Sequence, residues 1–176
     1  MRVGFIGTGS MGGILIDAFV EAGSIPPANI HASNRTFTKV KELAKKHTGL
    51  HAYPTNRRVV EQAELVFLCV KPLEFKHVLD EIAPYVKPEQ IVVSITSPVQ
   101  ISDLEKFLSA KIAKIIPSIT NAAQSGASLM IAGSRLTETD RHLLYDLMKT
   151  ISHPLWIDEN FTRVSSDIVS CGPAFI

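Results

Sequence analysis

The sequence has few cysteines and no long apolar run. Cys69 and Cys171 are the only cysteines among 176 residues and form no Cys-x-x-Cys pair, which excludes a disulfide-built scaffold. Cys69 falls in an apolar strand pattern, so we expect a buried small side chain rather than a redox group. No apolar run approaches the roughly 18 residues that a membrane span needs, and no signal peptide precedes the first strand. We therefore expect a cytoplasmic protein with no membrane partner.

An excess of charge of one sign is also lacking. The chain has 18 Lys and Arg residues against 17 Asp and Glu residues, a net charge of +1, and no long basic run. This balance gives no reason to expect a nucleic acid as partner. The six histidines show no metal-ligand spacing, so we expect no metal site. A Gly-x-Ser-x-Gly motif, which would indicate a serine nucleophile, is also absent.

What the sequence does have is a glycine-rich turn between a strand and a helix at its start. Residues 3–6 read as an apolar strand, and a helical pattern follows at 14–22. Between them Gly7, Gly9 and Gly12 have the spacing G-x-G-x-x-G, which in this context predicts a dinucleotide-binding turn. Gly7 permits the turn, Gly9 lets a pyrophosphate approach the backbone, and Gly12 lets the helix pack on the strand. The helix N-terminus offers N–H groups to the phosphates. The alternative is a plain strand-to-helix turn.

Apolar strand patterns and amphipathic helices alternate along the rest of the chain. Such alternation predicts an α/β fold with a Rossmann-type, doubly wound, mostly parallel sheet and helices on both faces. A capping-box pattern from Ser102 to Glu105 is expected to open one of the helices. The further predicted strands are 30–33, 50–53, 64–70, 90–95, 111–116, 127–132 and 154–157, and the further helices are 37–47, 56–62, 74–85, 101–108 and 137–150.

The residues after the second strand indicate which nucleotide binds. A site that selects NAD has an Asp or Glu about 20 residues past the glycines, but this chain has Asn34, Arg35 and Thr36 there. An arginine can bond a 2′-phosphate, and its two neighbours can donate hydrogen bonds. We therefore predict NADP(H), with NAD(H) as the second candidate. The alternative is that Arg35 only begins the next helix. Asn56 and Arg57, at the same edge, either contact the adenosine end or cap a helix.

Other polar side chains follow the strands at the same edge of the sheet. Lys71 either faces the nicotinamide-side phosphate or ribose, or is a solvated lysine at a helix start. Four further residues either meet a small polar substrate or cap the turns that follow them. They are Ser97, Ser118, Thr120 and Asn121.

Taken together, these motifs resemble pyrroline-5-carboxylate reductase. The resemblance is carried by residues 4–12, 34–36, 70–72, 91–95, 116–117 and 172–175. That family reduces 1-pyrroline-5-carboxylate to proline with NAD(P)H, so the resemblance implies the same hydride transfer here. It implies these cofactor-binding residues: Ile6, Gly7, Thr8, Gly9, Ser10, Met11, Gly12, Asn34, Arg35, Thr36, Asn56, Cys69, Val70, Lys71, Pro72, Ser94, Ile95 and Thr96.

The resemblance also implies a domain organisation. Residues 1–157 are expected to form the NADP-binding Rossmann domain, and residues 158–176 to begin a C-terminal helical domain. In the family that domain forms the dimer and most of the imino-acid pocket. We therefore expect a homo-oligomer for a full-length protein, and a chain of this length that binds NADPH with little turnover. The catalytic residues cannot be placed on it.

Three motifs depart from the family pattern on the substrate side. Residues 96–98 are Thr-Ser-Pro instead of Ala-Ala-Gly, and residues 116–120 and 170–175 also differ. This pattern resembles a reductase-like paralogue of the late-competence operon in Bacillus-type bacteria. Two functions stay open: an NADP(H)-dependent reductase of 1-pyrroline-5-carboxylate or a related cyclic imine, or a non-catalytic NADP-binding protein with a regulatory or competence-associated role. A β-hydroxyacid dehydrogenase starts with a similar turn, but Val-Lys-Pro at 70–72 fits the reductase better.

Overall fold

A computed structural model of the chain describes residues 1–118, 120 and 123–158. Strands and helices alternate through this part of the chain, with short 3-10 helices at Pro27–Asn29 and Pro72–Glu74. The strands are β1 (Val3–Ile6), β2 (Ile30–Ser33), β3 (His51–Tyr53), β4 (Leu65–Leu68), β5 (Ile91–Ser94), β6 (Lys111–Ile116), β7 (Ala127–Ala132) and β8 (His153–Trp156). The helices are α1 (Ser10–Glu21), α2 (Phe37–Lys46), α3 (Asn56–Gln62), α4 (Phe75–Ile82), α5 (Ile101–Phe107) and α6 (Glu138–Lys149).

All eight strands belong to one sheet with the order β3-β2-β1-β4-β5-β6-β7-β8. Strands β1 to β6 pair in parallel, β7 runs antiparallel to β6, and β8 is parallel to β7. The chain moves outward from β1 to β3 and then returns to place β4 on the other side of β1. This reversal opens a crevice at the carboxyl end of β1, where doubly wound sheets bind their ligands. The predicted Rossmann-type, mostly parallel sheet is confirmed.

Helices cover both faces of the sheet because the central strands are apolar on both sides. On one face α1, α2 and α6 pack over a core in which the rings of Phe5 and Phe67 stack with centroids 5.1 Å apart. On the other face lie α3, α4 and α5. Gly4 lets α3 approach β1 closely, since a Cβ at this position would lie 2.6 Å from Cγ1 of Val59. The two buried layers hold the strand ends, and hence the crevice, in a fixed arrangement.

Most element boundaries agree with the sequence pattern to within a few residues, but the predicted capping box is wrong. Helix α5 begins at Ile101, and Gln100 precedes it without a side-chain cap bond. Glu105 instead accepts a hydrogen bond from the Ser134 hydroxyl. The capping box that does form opens α6, where the Thr137 hydroxyl accepts a bond from Asp140 N at 3.1 Å and the Asp140 carboxylate accepts one from Thr137 N at 3.0 Å.

Two expectations concern parts of the chain away from the crevice. No helix within the described ranges combines the length and the apolar character that a membrane crossing requires. The predicted start of a helical domain at 158–176 lies outside the described residues, apart from Asp158.

Candidate nucleotide-binding site

The glycine turn joins β1 to α1 in a conformation that requires glycine at two positions. Gly7 has φ +94°, and its N–H donates a hydrogen bond to Ser33 O at 2.9 Å. A side chain at Gly7 would collide with the carbonyl oxygen of Cys69, and one at Gly12 with the carbonyl oxygen of Gly7. The left-handed φ of Gly7 and the two close approaches therefore favour glycine at both positions.

Gly9 differs from the other two glycines because it faces open space. A Cβ at this position would meet no atom of the described chain within 4 Å. Gly9 is also the N-cap of α1, with no side-chain bond to the first turn of the helix. The backbone N–H groups of that turn therefore point to a free surface, which is the arrangement that binds anions.

Thr8, between these glycines, carries an unsatisfied hydroxyl. Thr8 is 8% exposed. Its Oγ1 atom is buried and has no hydrogen-bond partner in the part of the chain that the structure describes. Leaving a buried hydroxyl unpaired costs about 1–3 kcal/mol. A ligand oxygen at the turn could supply the missing partner after a rotation of the side chain.

A cavity of about 540 Å³ lies beyond the carboxyl ends of β2, β1 and β4. Ten of the predicted cofactor residues line it: Ile6, Gly7, Gly9, Asn34, Arg35, Thr36, Asn56, Cys69, Val70 and Lys71. Thr8 and Ser10 line an adjoining cavity of about 470 Å³ on the α2 side of the turn. The fold thus brings together residues that are up to 65 positions apart in the sequence.

Six predicted residues do not line either cavity: Met11, Gly12, Pro72, Ser94, Ile95 and Thr96. Ser94 is fully buried, and the Thr96 hydroxyl donates to Val70 O at 2.9 Å. Ser118 is also buried, and its hydroxyl accepts a bond from the Thr120 hydroxyl at 2.9 Å. These contacts brace the loops after β5 and β6. Asn121, which was grouped with them, lies outside the described residues.

The sequence motifs did not predict the residues of one wall of the cavity. It comes from the 3-10 turn after β4 and from α4, and it includes Glu74, His77, Val78 and Glu81. Their spacing of i, i+3, i+4 and i+7 is one face of a helix, which is the signal that could have found them. The other missed lining residues are Lys39, Pro54, Thr55 and Leu73, of which Leu73 is 98% exposed.

Arg35 lies between β2 and α2, and its side chain is 86% exposed. Because α2 begins at Phe37, Arg35 precedes the helix. Its Nη1 atom lies 3.1 Å from Oε1 of Glu74. The ion pair joins two walls of the cavity.

Asn56 and Arg57 are neighbours in the sequence but have different surroundings. The Asn56 amide accepts a bond from the Ser33 hydroxyl at 2.7 Å and donates to Glu81 at 2.9 Å. Asn56 therefore ties β2, α3 and α4 together at the cavity wall. Arg57 does not line the cavity: it lies over the ring of Tyr85 and pairs with Glu61 at 2.6 Å.

The site contains no activated thiol. Burial raises the pKa of the Cys69 thiol well above its ordinary value, so the thiol is protonated at neutral pH and is a poor nucleophile. Over residues 1–118, 120 and 123–158, no group of three or more His, Cys, Asp or Glu side chains could hold a metal ion. The arrangement is suited to binding a phosphorylated ligand.

Comparison with known families supports this view of the site. Residues 2–98 match the model of the family described as NADP oxidoreductase, coenzyme F420-dependent. The chain belongs to this family. The match covers the glycine turn, strands β1 to β5 and the walls of the larger cavity.

Relatives that are longer than this chain match it over nearly its whole length. It is 43% identical over 176 residues to ComE operon protein 4 of Bacillus subtilis, covering all of this chain and 64% of that protein. It is 27% identical to pyrroline-5-carboxylate reductase of Methanosarcina acetivorans, covering 99% of this chain and 65% of the relative. The chain thus spans less than two thirds of the length of these relatives. The resemblance to pyrroline-5-carboxylate reductases, and to the late-competence paralogue, is confirmed.

A solved structure gives the same result for the fold. The crystal structure of Plasmodium falciparum pyrroline carboxylate reductase with NADP bound has a TM-score of 0.88 at 24% identity, covering 99% of this chain and 64% of that one. At this identity the likeness concerns the fold.

Proposed function

We propose that this chain is the nucleotide-binding part of an NADP(H)-dependent reductase of 1-pyrroline-5-carboxylate or a related cyclic imine. The observation that carries the proposal is the cavity itself. It has the glycine turn at one end and, directly after β2, Arg35 with no Asp or Glu among residues 34–36. The relatives named as pyrroline-5-carboxylate reductases support the choice of an imine as substrate.

The phosphate end of the cavity fits a dinucleotide. Gly9 leaves room against the backbone for a pyrophosphate, and the first turn of α1 offers N–H groups with a partial positive charge. The unpaired Thr8 hydroxyl would gain a partner from a phosphate oxygen. Each of these features is explained by a ligand that is negatively charged at this position.

The corner after β2 fits an adenosine that carries a 2′-phosphate. Arg35 and Lys39 both line the cavity there, and a guanidinium forms strong, paired bonds to phosphate oxygens. Asn34 and Thr36 line the same corner. The exposed Leu73 side chain offers apolar surface to the adenine. Without a carboxylate at the end of β2, nothing on that strand repels the phosphate.

In the proposed reaction, NADPH supplies the hydride. The protein's task is to hold the nicotinamide against the imine and to exclude competing reactions. The loops at 96–98 and 117–118 would shape the nicotinamide pocket. Two bonds hold the first of them: the Thr96 hydroxyl donates to Val70 O at 2.9 Å, and the buried Lys114 ammonium donates to Ser97 O at 3.1 Å. A rigid loop would fix the position of the nicotinamide ring, and correct positioning of the reacting groups increases the rate of hydride transfer.

The whole protein is proposed to follow the organisation of its longer relatives. Residues 1–157 would be the nucleotide-binding domain. A helical domain beginning at 158 would complete the imine pocket and form a homo-oligomer in the cytoplasm. The small-molecule substrate would then bind between the two domains.

The experiment that tests the proposal uses the full-length protein with NADPH and 1-pyrroline-5-carboxylate. Loss of NADPH absorbance that depends on the imine, at a rate of about 1–1000 per second, is the expected result. If the protein binds NADPH but reduces no cyclic imine, the non-catalytic alternative replaces the reductase. If it binds neither NADPH nor NADH, the cavity has another ligand.

A further inference from the structure

We propose that Glu74 sets how strongly this site prefers NADP(H) over NAD(H), because it occupies Arg35 when no phosphate is bound. The inference rests on the proposed function, since it concerns the 2′-phosphate that the proposal assigns to Arg35. Glu74 is a carboxylate in the wall of a cavity proposed for an anion. Neither the glycine motif nor the family resemblance gives it a role.

The geometry places Glu74 across the cavity from the second strand. Arg35 follows β2, whereas Glu74 ends the 3-10 turn after β4, and these two strands flank β1. The ion pair of 3.1 Å therefore spans the carboxyl end of β1, next to the glycine turn. Both side chains remain open to solvent, at 86% and 36% exposure, so they can separate without unfolding any packed element.

A 2′-phosphate bound to Arg35 would change the surroundings of Glu74. The phosphate carries a charge of about −1.5 to −2, and it would compete with the carboxylate for the same guanidinium. When a binding-competent state is only partly populated, the apparent affinity falls in proportion to that population. NAD(H) has no 2′-phosphate and does not need Arg35 to be released. Glu74 thus lowers the affinity for NADP(H) selectively.

The other charged side chains considered in the described wall do not compete with a phosphate for Arg35. Glu81 is the second carboxylate, but the backbone N and side-chain amide of Asn56 hold it with bonds of 3.1 and 2.9 Å. Lys39 forms no ion pair within the described ranges and can add a second cation for the phosphate. Of the two wall carboxylates, Glu74 is therefore the one whose ion-pair partner, Arg35, would also bind the 2′-phosphate.

The test compares Glu74→Gln with the unaltered protein by fluorescence titration of NADPH and of NADH. The dissociation constant for NADPH is expected to fall about threefold to fivefold, the upper part of the range for a solvent-exposed charge contact. The constant for NADH is expected to stay within about twofold. Glu61→Gln is the matched control: it makes the same change and frees Arg57, which lies outside the cavity. It should leave both constants unchanged. Melting temperatures of both variants verify that they are folded.

Three results would overturn the inference. In the first, Glu74→Gln leaves NADPH binding unchanged. In the second, it improves NADPH and NADH equally, so the effect does not involve the 2′-phosphate. In the third, Glu74→Gln gives the same gain in an Arg35→Gln background, which would exclude exchange through the arginine. The failure of the proposed function looks different: the unaltered protein would then bind neither dinucleotide, or would bind NADPH without reducing a cyclic imine.

Discussion

Alanine substitutions at two glycines of the turn should have different effects, one on stability and the other on NADPH binding. In Gly12→Ala, the new Cβ would overlap the carbonyl oxygen of Gly7 and lie 3.2 Å from Cβ of Cys69. Overpacking costs about 1–3 kcal/mol, and we expect the upper end because a backbone carbonyl cannot rotate away. The higher helix propensity of alanine offsets about 1 kcal/mol. The net expectation is a loss of about 2 kcal/mol in the free energy of unfolding.

Gly9→Ala should affect NADPH binding more than stability. Its Cβ meets nothing within 4 Å, and the φ of −68° is open to any residue. We expect a loss of about 1 kcal/mol or less, arising from a weaker helix cap. The methyl group would, however, stand where the proposed pyrophosphate lies against the backbone. NADPH binding should therefore weaken about tenfold or more, which is at least about 1.4 kcal/mol.

The assay pairs thermal unfolding, followed by circular dichroism, with NADPH titration at a temperature where every variant is folded. Gly12→Ala should melt about 4–8 °C lower, at about 2–4 °C per kcal/mol for a chain of this size. Gly13→Ala is the control, because its Cβ would lie an ordinary 3.6 Å from Thr8 O; it should keep NADPH binding and gain up to about 1 kcal/mol in the free energy of unfolding. The reasoning is refuted if Gly12→Ala has the same melting temperature as the unaltered protein, or if Gly9→Ala binds NADPH with unchanged affinity.

Three further predictions follow from individual contacts. Arg35→Asp should weaken NADPH binding by about 1.5–3 kcal/mol through loss of a charged hydrogen bond, with little effect on NADH; equal losses in the two titrations would contradict the 2′-phosphate assignment. Burial, with help from nearby positive charge, lowers the pKa of His31 from 6.5 to about 4, so its neutral ring is favoured in the folded state. The free energy of unfolding should therefore fall as the pH drops from about 6.5 toward 4, by up to about 3 kcal/mol. Urea titrations of His31→Gln should lack this part of the pH dependence, and an unchanged slope would exclude His31 as its source. Gln90→Leu should cost about 2–4 kcal/mol, because the buried amide donates to Val60 O and Ala63 O at 2.7 Å each and both carbonyls would lose a partner; urea unfolding that shifts by less than about 0.5 kcal/mol would show that water replaces it.

The strands were predictable because their signals are local. Strands β1, β2 and β6 begin and end where the pattern placed them, since a parallel strand buried on both faces is a continuous apolar run bounded by turn residues. The pattern does not carry strand direction, so the antiparallel pairing of β7 with β6 could not be assigned to that pair.

The candidate site was only half predictable from the sequence. The turn from Gly7 to Gly12 and the corner at Arg35 are contiguous motifs with fixed spacing. The opposite wall at Glu74 and Glu81 consists of ordinary charged helix residues, which face the cavity only because β4 lies beside β1. The capping-box prediction failed for a similar reason: Glu105 bonds Ser134, a residue 29 positions away.

The central claim is that NADPH lies across the N-terminus of α1 with its 2′-phosphate on Arg35. A crystal structure of the protein soaked in NADPH tests it most directly. The account predicts the pyrophosphate against Gly9 and the 2′-phosphate within hydrogen-bond distance of the Arg35 guanidinium, with Glu74 displaced from it. NADPH bound elsewhere on the protein, or in the cavity with its 2′-phosphate pointing away from Arg35, would contradict the account.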